Sequence, residues 1–545
     1  MGGVEWMLCD VGILLCGAVT VPIYASNTAE QCAFIVRDAG ARVVIVEDAA
    51  QLEKMCAVRS DLPAAMTFVH ITGDANLEKP DERGRTCVRL AEVGPAPDTR
   101  VTSLADLRAS GRAVPAPEAL AAVAANVDPE STFTIIYTSG TTGTPKGVVL
   151  SHRNLTAAIA SACRTMALYP HDEQLLFLPL AHVLGRELAW ITVHAGLVTT
   201  FAESIGQLKK NLVEIRPTFM AGVPRVFEKL HSGVQMALKQ GSAVKRRLVT
   251  WALGVAARVT AAGARGVGLR LTVARALADR LVFSKLRARL GLDRCRFLIS
   301  GGAPLAVEIA EFFYGAGVLI LEGYGLTETM SAAFLNRPDR FRFGTVGPAL
   351  DVVEMRIADD GEILMRGPSV FSRYHGDPAA TAEAIDADGW YHSGDIGQIE
   401  DGFLRITDRK KDLIVTAGGK KVAPQPLENA IKMSSPLVSQ AVVYGDRRPY
   451  LSALLTPSEE AVKRFGDGKG GVVPDAAELR AAIQAALKTV NTDLASYETI
   501  KTFAFLPHDF SEAAGEMTPS LKVKRKVVID RYRDAFERLY QQGRE

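Results

Sequence analysis

Short apolar runs rich in β-branched residues recur along the chain, separated by longer stretches in which Ala, Leu and Val take helical spacing. Residues 19–23 and 42–46 are two such runs; Phe133, Ile135, Ile136 and Tyr137 form a third. That alternation predicts an α/β domain. Residues 151–166 are rich in alanine and open on Ser151, which predicts a capped helix. Residues 175–187 combine an apolar strand with His182 beyond a proline, and residues 297–305 and 318–329 predict strands ending in glycines. Residues 361–375 begin a β-rich part. From about residue 412 the pattern becomes a compact α+β unit, with strands near 440–444 and 451–456 and a helix over 475–494. Residues 72–128 collect Pro, Asp and Gly and read as a linking surface stretch. The apolar run 7–24 contains Asp10, has no basic residue before it and ends just past Val21-Pro22. It fits neither a targeting peptide nor a membrane span, and reads as a buried helix followed by a core strand.

At 545 residues the chain exceeds a single core, so two or more domains are expected. Its hydrophobic content of 48% and charged content of 23% are those of an ordinary globular protein. A net charge of +2 gives no reason to expect nucleic acid as a partner. The seven cysteines are scattered and form no C-x-x-C pair, which favours a reducing, cytoplasmic compartment without a zinc site or disulfide framework. Charge is uneven in one place: residues 239–296 carry fourteen Lys/Arg against two Asp/Glu, spaced among Ala, Leu and Val. Basic amphipathic helices lie on anionic membrane surfaces, and equally occur as solvated insertions with charges facing water. Both readings stay open.

The densest chemistry lies in YTSGTTGTPKGVVLSH, residues 137–152. Thr138, Ser139, Thr141, Thr142 and Thr144 place five hydroxyls within seven residues, interleaved with Gly140 and Gly143 and followed by Lys146. A glycine-rich loop between a strand and a helix turns backbone N–H groups around phosphate oxygens. The hydroxyls add donors and Lys146 adds a mobile positive charge, which makes a polyphosphate cradle; the plain alternative is a solvated polar loop. A P-loop is excluded, because Pro145 precedes Lys146 and Gly147, not Ser or Thr, follows it.

The ordered match across this stretch resembles the signature loop of the adenylate-forming superfamily, which includes acyl-CoA synthetases, firefly luciferase and peptide-synthetase adenylation domains. Further stretches match in the same order: LLFLPLAHVLGRE, RPTFMAGVPRVFEKL, FLISGGAPL with VLILEGYGLTET, DGWYHSGDIGQIEDGFLRITDRKKDLIVTAGGKKVAPQPLEN, and MTPSLKVKRKVV. The likeness runs from residue 4 to about 540, and the segment after residue 4 is similar to one that in this family follows earlier strands and helices. The chain therefore reads as short at its N-terminal end, and any dimer contact there is left open.

The resemblance implies a large adenylation domain over 1–410, with α/β sheets and a small β-barrel-like part, and a small mobile α+β domain over 411–545. It implies ATP, Mg2+ and CoA. ATP would be held by Thr138, Ser139, Gly140, Thr141, Thr142, Gly143, Lys146, Gly302, Ala303, Glu322, Gly323, Tyr324, Gly325 and Thr327. Asp395 would take the ribose hydroxyls, and Arg409 the ribose and phosphates. Glu328, with Thr138, would hold the metal, His182 would lie on the acyl and CoA side, and Val223 would line the acyl pocket. Lys522 takes the catalytic lysine position, preceded by Leu521 where many members have glycine. Lys411 takes the hinge position, and Gly418 and Gly419 resemble the loop that admits the CoA thiol arm.

The expected reaction has two halves. A carboxylate attacks the α-phosphorus of ATP to give an acyl-adenylate and pyrophosphate, then a thiol displaces AMP. The basic segment, Leu521 and DGWYHSGDIG together look like the long-chain fatty acid branch, with long-chain fatty acid and CoA as substrates and a contact on the inner face of a membrane. The alternatives are an acyl-AMP ligase loading a carrier protein, a ligase for a medium-chain, aromatic or sterol acid, and a non-catalytic protein on the same fold.

Overall fold

The computed structural model describes residues 3–63, 65–71, 99–114, 116–138, 145–239, 242–262, 268–466, 472–474, 476–492, 494–518 and 521–542. Its centre is a six-stranded sheet in the order Ser331–Leu335, Ile320–Leu326, Phe297–Ser300, Phe219–Gly222, Glu173–Leu176, Val198–Phe201. All neighbours run parallel except Ser331–Leu335, which returns antiparallel to Ile320–Leu326. Strands covered on both faces are apolar throughout, as Phe219, Phe297, Leu298 and Ile320 are here. In register, Ser300 pairs with Gly222 on one side and Glu322 on the other. The C-terminal ends of these three strands therefore lie side by side; Val223 and Gly302 follow the first two, and Tyr324 lies on the third.

The hydroxyl-rich stretch departs from its expected setting. Thr132–Thr138 is followed by a second strand, Lys146–Ser151, with Thr138 opposite Lys146. The loop thus joins two antiparallel strands, not a strand to a helix, because Val148, Val149 and Leu150 form a buried β run before the helix begins. The helix His152–Met166 starts only after it, with Ser151 and Asn154 in a reciprocal capping box. Ser139, Gly140, Thr141, Thr142, Gly143 and Thr144 lie outside the described residues.

Two other expectations are corrected. The described second half of 72–128 is ordered: Thr99–Ser103 adds to a parallel sheet with Val43–Val46 and Met66–His70, and two helices follow at Leu104–Ala113 and Pro117–Ala125. The residues that read as linker signals are helix starts, Ser103 capping the first and Pro117 opening the second. The run 7–24 holds a helix, Val4–Leu15, whose one buried residue is Asp10, while Leu8 and Leu15 are exposed. The salt bridge from Asp10 to Arg186 anchors this helix, and the partly buried Trp6, Met7 and Leu14 pack it on the central core. Residues 19–23 make a single bridge, Thr20 to Thr134, in place of a strand.

A four-stranded antiparallel sheet follows, in the order Glu354–Ile357, Glu362–Arg366, Tyr391–Glu400, Phe403–Arg409. Beyond it, the strands Val438–Tyr444, Leu451–Pro457 and Ile500–Phe505 carry a core of their own. The helices Pro424–Ser434 and Ala477–Thr492 cover one face, and Phe510, Met517, Val528 and Phe536 pack on the other. Residues 239–296 form the helices Ala243–Ala262, Leu269–Ala278 and Ser284–Leu290, which bury Ala252, Val255, Ala256, Val259, Ala278 and Phe283.

Candidate active site

The two bodies enclose a cleft of about 2430 Å³, well above the size of an ordinary single-ligand pocket. It is lined by Thr138, Lys146, His182, Val223, Gly302, Ala303, Glu322, Gly323, Tyr324, Gly325, Thr327, Glu328, Asp395, Arg409, Lys411 and Lys522. Residues spread over almost four hundred positions thus meet in one place.

Lys522 enters from the C-terminal body on a tight turn. Thr518 N–H donates to Lys522 O at 2.8 Å, and Leu521 N–H donates to Thr518 O at 2.8 Å. The turn puts Leu521 at φ +59°, the left-handed region, which explains why glycine suits the position. The Leu521 side chain packs against the apolar clusters of both bodies, which offsets the strain. Pro519 lies outside the described residues. A Cβ on Gly302 would lie 3.1 Å from Lys522 Cε and 3.4 Å from Nζ, so the lysine rests on the bare backbone of a glycine at φ +85°. Burial lowers the Lys522 pKa to about 8, Arg409 pushes the same way, and Asp395 opposes.

Tyr324, Asp395 and Arg409 form a second group. Asp401 and Gly402, both left-handed, close the hairpin between Tyr391–Glu400 and Phe403–Arg409, and a bulge at Ile396/Gly397 shifts the register so that Asp395 faces Arg409. Arg409 Nε lies 3.2 Å from Asp395 Oδ1, and Tyr324 O–H donates to Oδ2 at 2.5 Å. Burial raises the Asp395 pKa against the pull of Arg409. Tyr374 organises a third group that the motifs did not reveal. Its O–H donates to Glu328 Oε1 at 2.9 Å, and Lys146 Nζ sits 5.1 Å from its ring centroid. A Tyr four residues after Val370 in a β-rich stretch gave no sequence signal, because its partners lie elsewhere in the chain.

His182 caps the helix Val183–Ala195, its Nδ1 accepting from Leu184 N–H at 3.2 Å. Burial, then the charge of Lys522, lowers its pKa to about 3, so the ring is neutral and its proton sits on Nε2. Glu322 lines the cleft, but its carboxyl accepts from the Leu305 N–H at 3.1 Å and is bonded by the Gly344 amide. It holds the glycine loop in shape. Gly418 and Gly419 sit in the exposed turn between Ile414–Val415 and Lys421–Val422 and do not line the cleft in this arrangement. Arg225, also missed, crosses between the bodies: it donates to Ser439 Oγ at 2.5 Å and to Asp509 Oδ2 at 3.0 Å. Among the described residues no three His, Cys, Asp or Glu side chains converge as a metal cage.

The AMP-binding enzyme family matches residues 2–375, and the AMP-binding enzyme C-terminal domain matches residues 411–544. The chain is 40% identical to the long-chain-fatty-acid–CoA ligase FadD15 of Mycobacterium tuberculosis over 98% of its length and 86% of the relative's. It is 32% identical to the long-chain-fatty-acid–CoA ligase ACSBG2 of Xenopus laevis, over 98% of this chain and 75% of that one. Among solved structures, the adenylation domain of a carboxylate reductase from Mycobacterium chelonae superposes with a TM-score of 0.78 at 26% identity, over 99% of this chain and 79% of that one. The fold, the order of the motifs and these full-length likenesses agree, and the chain belongs to the AMP-binding enzyme family.

Proposed function

We propose that this protein activates a long-chain fatty acid with ATP, releasing pyrophosphate and forming an acyl-adenylate, and then transfers the acyl group to CoA with loss of AMP. The observation that carries this reading is the position of Lys522 on Gly302, within one cleft that also holds Asp395, Arg409 and Glu328. Two anionic reactants must be brought together, so fixed positive charge and positioning do most of the catalysis. Lys522 places a cation between carboxylate and α-phosphate. Asp395 accepts the ribose hydroxyls, Tyr324 offers the adenine a face, and Thr138 and Lys146 hold the departing pyrophosphate. Glu328 and Thr138 fit Mg2+: one carboxylate and one hydroxyl are the few protein oxygens that ion takes when phosphates and water supply the rest.

The second half-reaction needs a channel for the CoA arm in place of the lysine. Rotation of the unit after 410 about Lys411 withdraws Lys522 and brings Gly418 and Gly419 to the cleft. ATP–pyrophosphate exchange with carboxylates from acetate to long-chain and aromatic acids tests the first half, and CoA-dependent AMP release tests the second. The reading expects the highest exchange with long-chain acids and product only with CoA. Exchange with no acid overturns it, and transfer to a carrier protein without CoA converts it to an acyl-AMP ligase.

Residues 239–296 supply the membrane contact in this reading. Val244, Trp251, Leu269, Val273, Leu277 and Leu281 are exposed there beside Lys245, Arg246, Arg247, Arg270 and Arg280. Apolar side chains set among cations suit an anionic bilayer surface. No described helix is long and apolar enough to cross a membrane. Co-sedimentation with vesicles containing anionic lipid, lost on charge reversal at Arg246 and Arg247, is the expected result.

A further inference from the structure

The wall of the cleft beyond Val223 is apolar apart from Glu187 and Ser331. Ala162 and Met166 come from one helix, Leu184, Leu188 and Ile191 from the next, and Phe219 and Ala221 from the sheet. Among them stands Glu187, 2% exposed. The Ser331 hydroxyl and the Ala332 amide lie within hydrogen-bonding reach of its carboxyl, yet Oε1 has no partner. The neighbouring Arg186 does not serve it: that guanidinium is held by Asp10 and Thr134. Glu322 makes the contrast, since it is about as buried but has the Leu305 and Gly344 amides bonded to its carboxyl. The backbone that presents Ser331 is itself strained, with Met330 at φ +51° and Ser331 at φ +79°, both left-handed without being glycine. An unpaired polar oxygen in an apolar wall costs stability. Backbone strain of this kind clusters at ligand-binding and active sites.

We infer that Glu187, backed by Ser331, is the specificity determinant of the acyl pocket, and that it selects an acyl chain bearing a hydroxyl group over the unsubstituted chain of equal length. The inference rests on the acyl-activation reading above and names the substrate class within it. Leu184 packs 3.6 Å from where a Gly301 Cβ would stand, beside the Lys522 site. Glu187 lies three residues further along the same helix, about 4.5 Å of rise. The recognised hydroxyl is therefore close to the carboxyl end of the chain, not at its tail. A hydroxyl suits this carboxyl in either protonation state, because it accepts from the acid and donates to the carboxylate. Burial raises the Glu187 pKa to about 7, so both states are present near neutrality.

The test is ATP–pyrophosphate exchange by the full chain with hexadecanoic acid and a series of hydroxyhexadecanoic acids in which the hydroxyl is moved along the chain. The wild type is expected to favour a hydroxyl near the carboxyl end by about tenfold in kcat/KM over the plain acid, the size of one good hydrogen bond. E187Q keeps a donor and an acceptor and retains the preference; E187L loses it while using the plain acid at least as well. A wild type that prefers no hydroxylated isomer, or an E187L ratio equal to that of the wild type, overturns the inference and leaves the acyl-activation reading standing. Exchange with no acid at all overturns both. If E187L does not fold, the wild-type position series and E187Q decide the question.

Discussion

The two ends of the cleft are built in opposite ways. At the end proposed to hold the nucleotide, polar groups satisfy one another at short range: Tyr324 and Arg409 on Asp395, Tyr374 on Glu328, Lys146 beside the Tyr374 ring. At the proposed acyl end, the wall is mostly apolar and Glu187 keeps one oxygen unpaired, while the fully buried salt bridge of Asp10 with Arg186 lies behind it. A fixed, charged ligand part rewards preorganised partners, whereas a long apolar chain rewards shape and excludes water. One end is therefore a network and the other a surface, and substitutions at the two ends should fail differently.

The largest effect is expected at the junction of the two. K522A removes the cation proposed to stand between the two reactants, and adenylation should fall by about 10³-fold or more. Thioester formation from supplied acyl-AMP should persist, so comparing the two half-reactions checks the role. Equal loss of both would remove the asymmetry.

Behind the acyl wall, D10A strands the fully buried Arg186, which Asp10 meets with bonds of 2.6 and 3.0 Å. Loss of one partner of such a pair costs about 3–5 kcal/mol. The denaturation midpoint should drop accordingly, and a near-neutral result would mean that the wall does not depend on this brace.

R225A cuts the link from the acyl side to Ser439 and Asp509 in the C-terminal body. That contact is partly exposed, so about 1 kcal/mol, or roughly fivefold in adenylation, is the expected loss. Thioester formation from acyl-AMP should be unchanged or faster. Slowing of both halves alike would assign Arg225 to folding instead of domain position.

The smallest effect concerns pH. Burial raises the Glu322 pKa to about 7 from 4.5, so folding favours its protonated form. The stability it contributes is complete below its unfolded pKa and is lost as pH rises through about 7. Melting temperature should therefore fall between pH 5 and 8, and E322Q, which keeps an acceptor for the Leu305 amide, should flatten part of that slope. An unchanged slope would place the titration elsewhere.

Much of the nucleotide end was legible in the sequence because its pieces are contiguous and lie at strand ends. The Asp401-Gly402 turn alone would set Asp395 across from Asp408, and a bulge at Ile396/Gly397 moves it to Arg409, so the fold and not the turn made this pairing. Tyr374, Arg225 and Glu187 were not legible. Each acts on a partner dozens to hundreds of residues away, and a lone Tyr, Arg or Glu on an element carries no pattern. The errors came from signals with two meanings. Ser103 and Pro117 mark helix starts as readily as loops, and the run 7–24 is apolar yet turns its one charged residue inward.

Sequence alone settled which residue types were available: the hydroxyls and Lys146 of the loop, the glycines after the central strands, and a lysine near the C-terminal end. Tertiary structure settled which of these face each other, and that the loop closes a hairpin instead of opening a helix. It also left one carboxyl in the acyl wall unpaired. The physical reason is range: turn and strand preferences act over a few residues, whereas burial and hydrogen-bond pairing are decided by whatever the fold brings alongside.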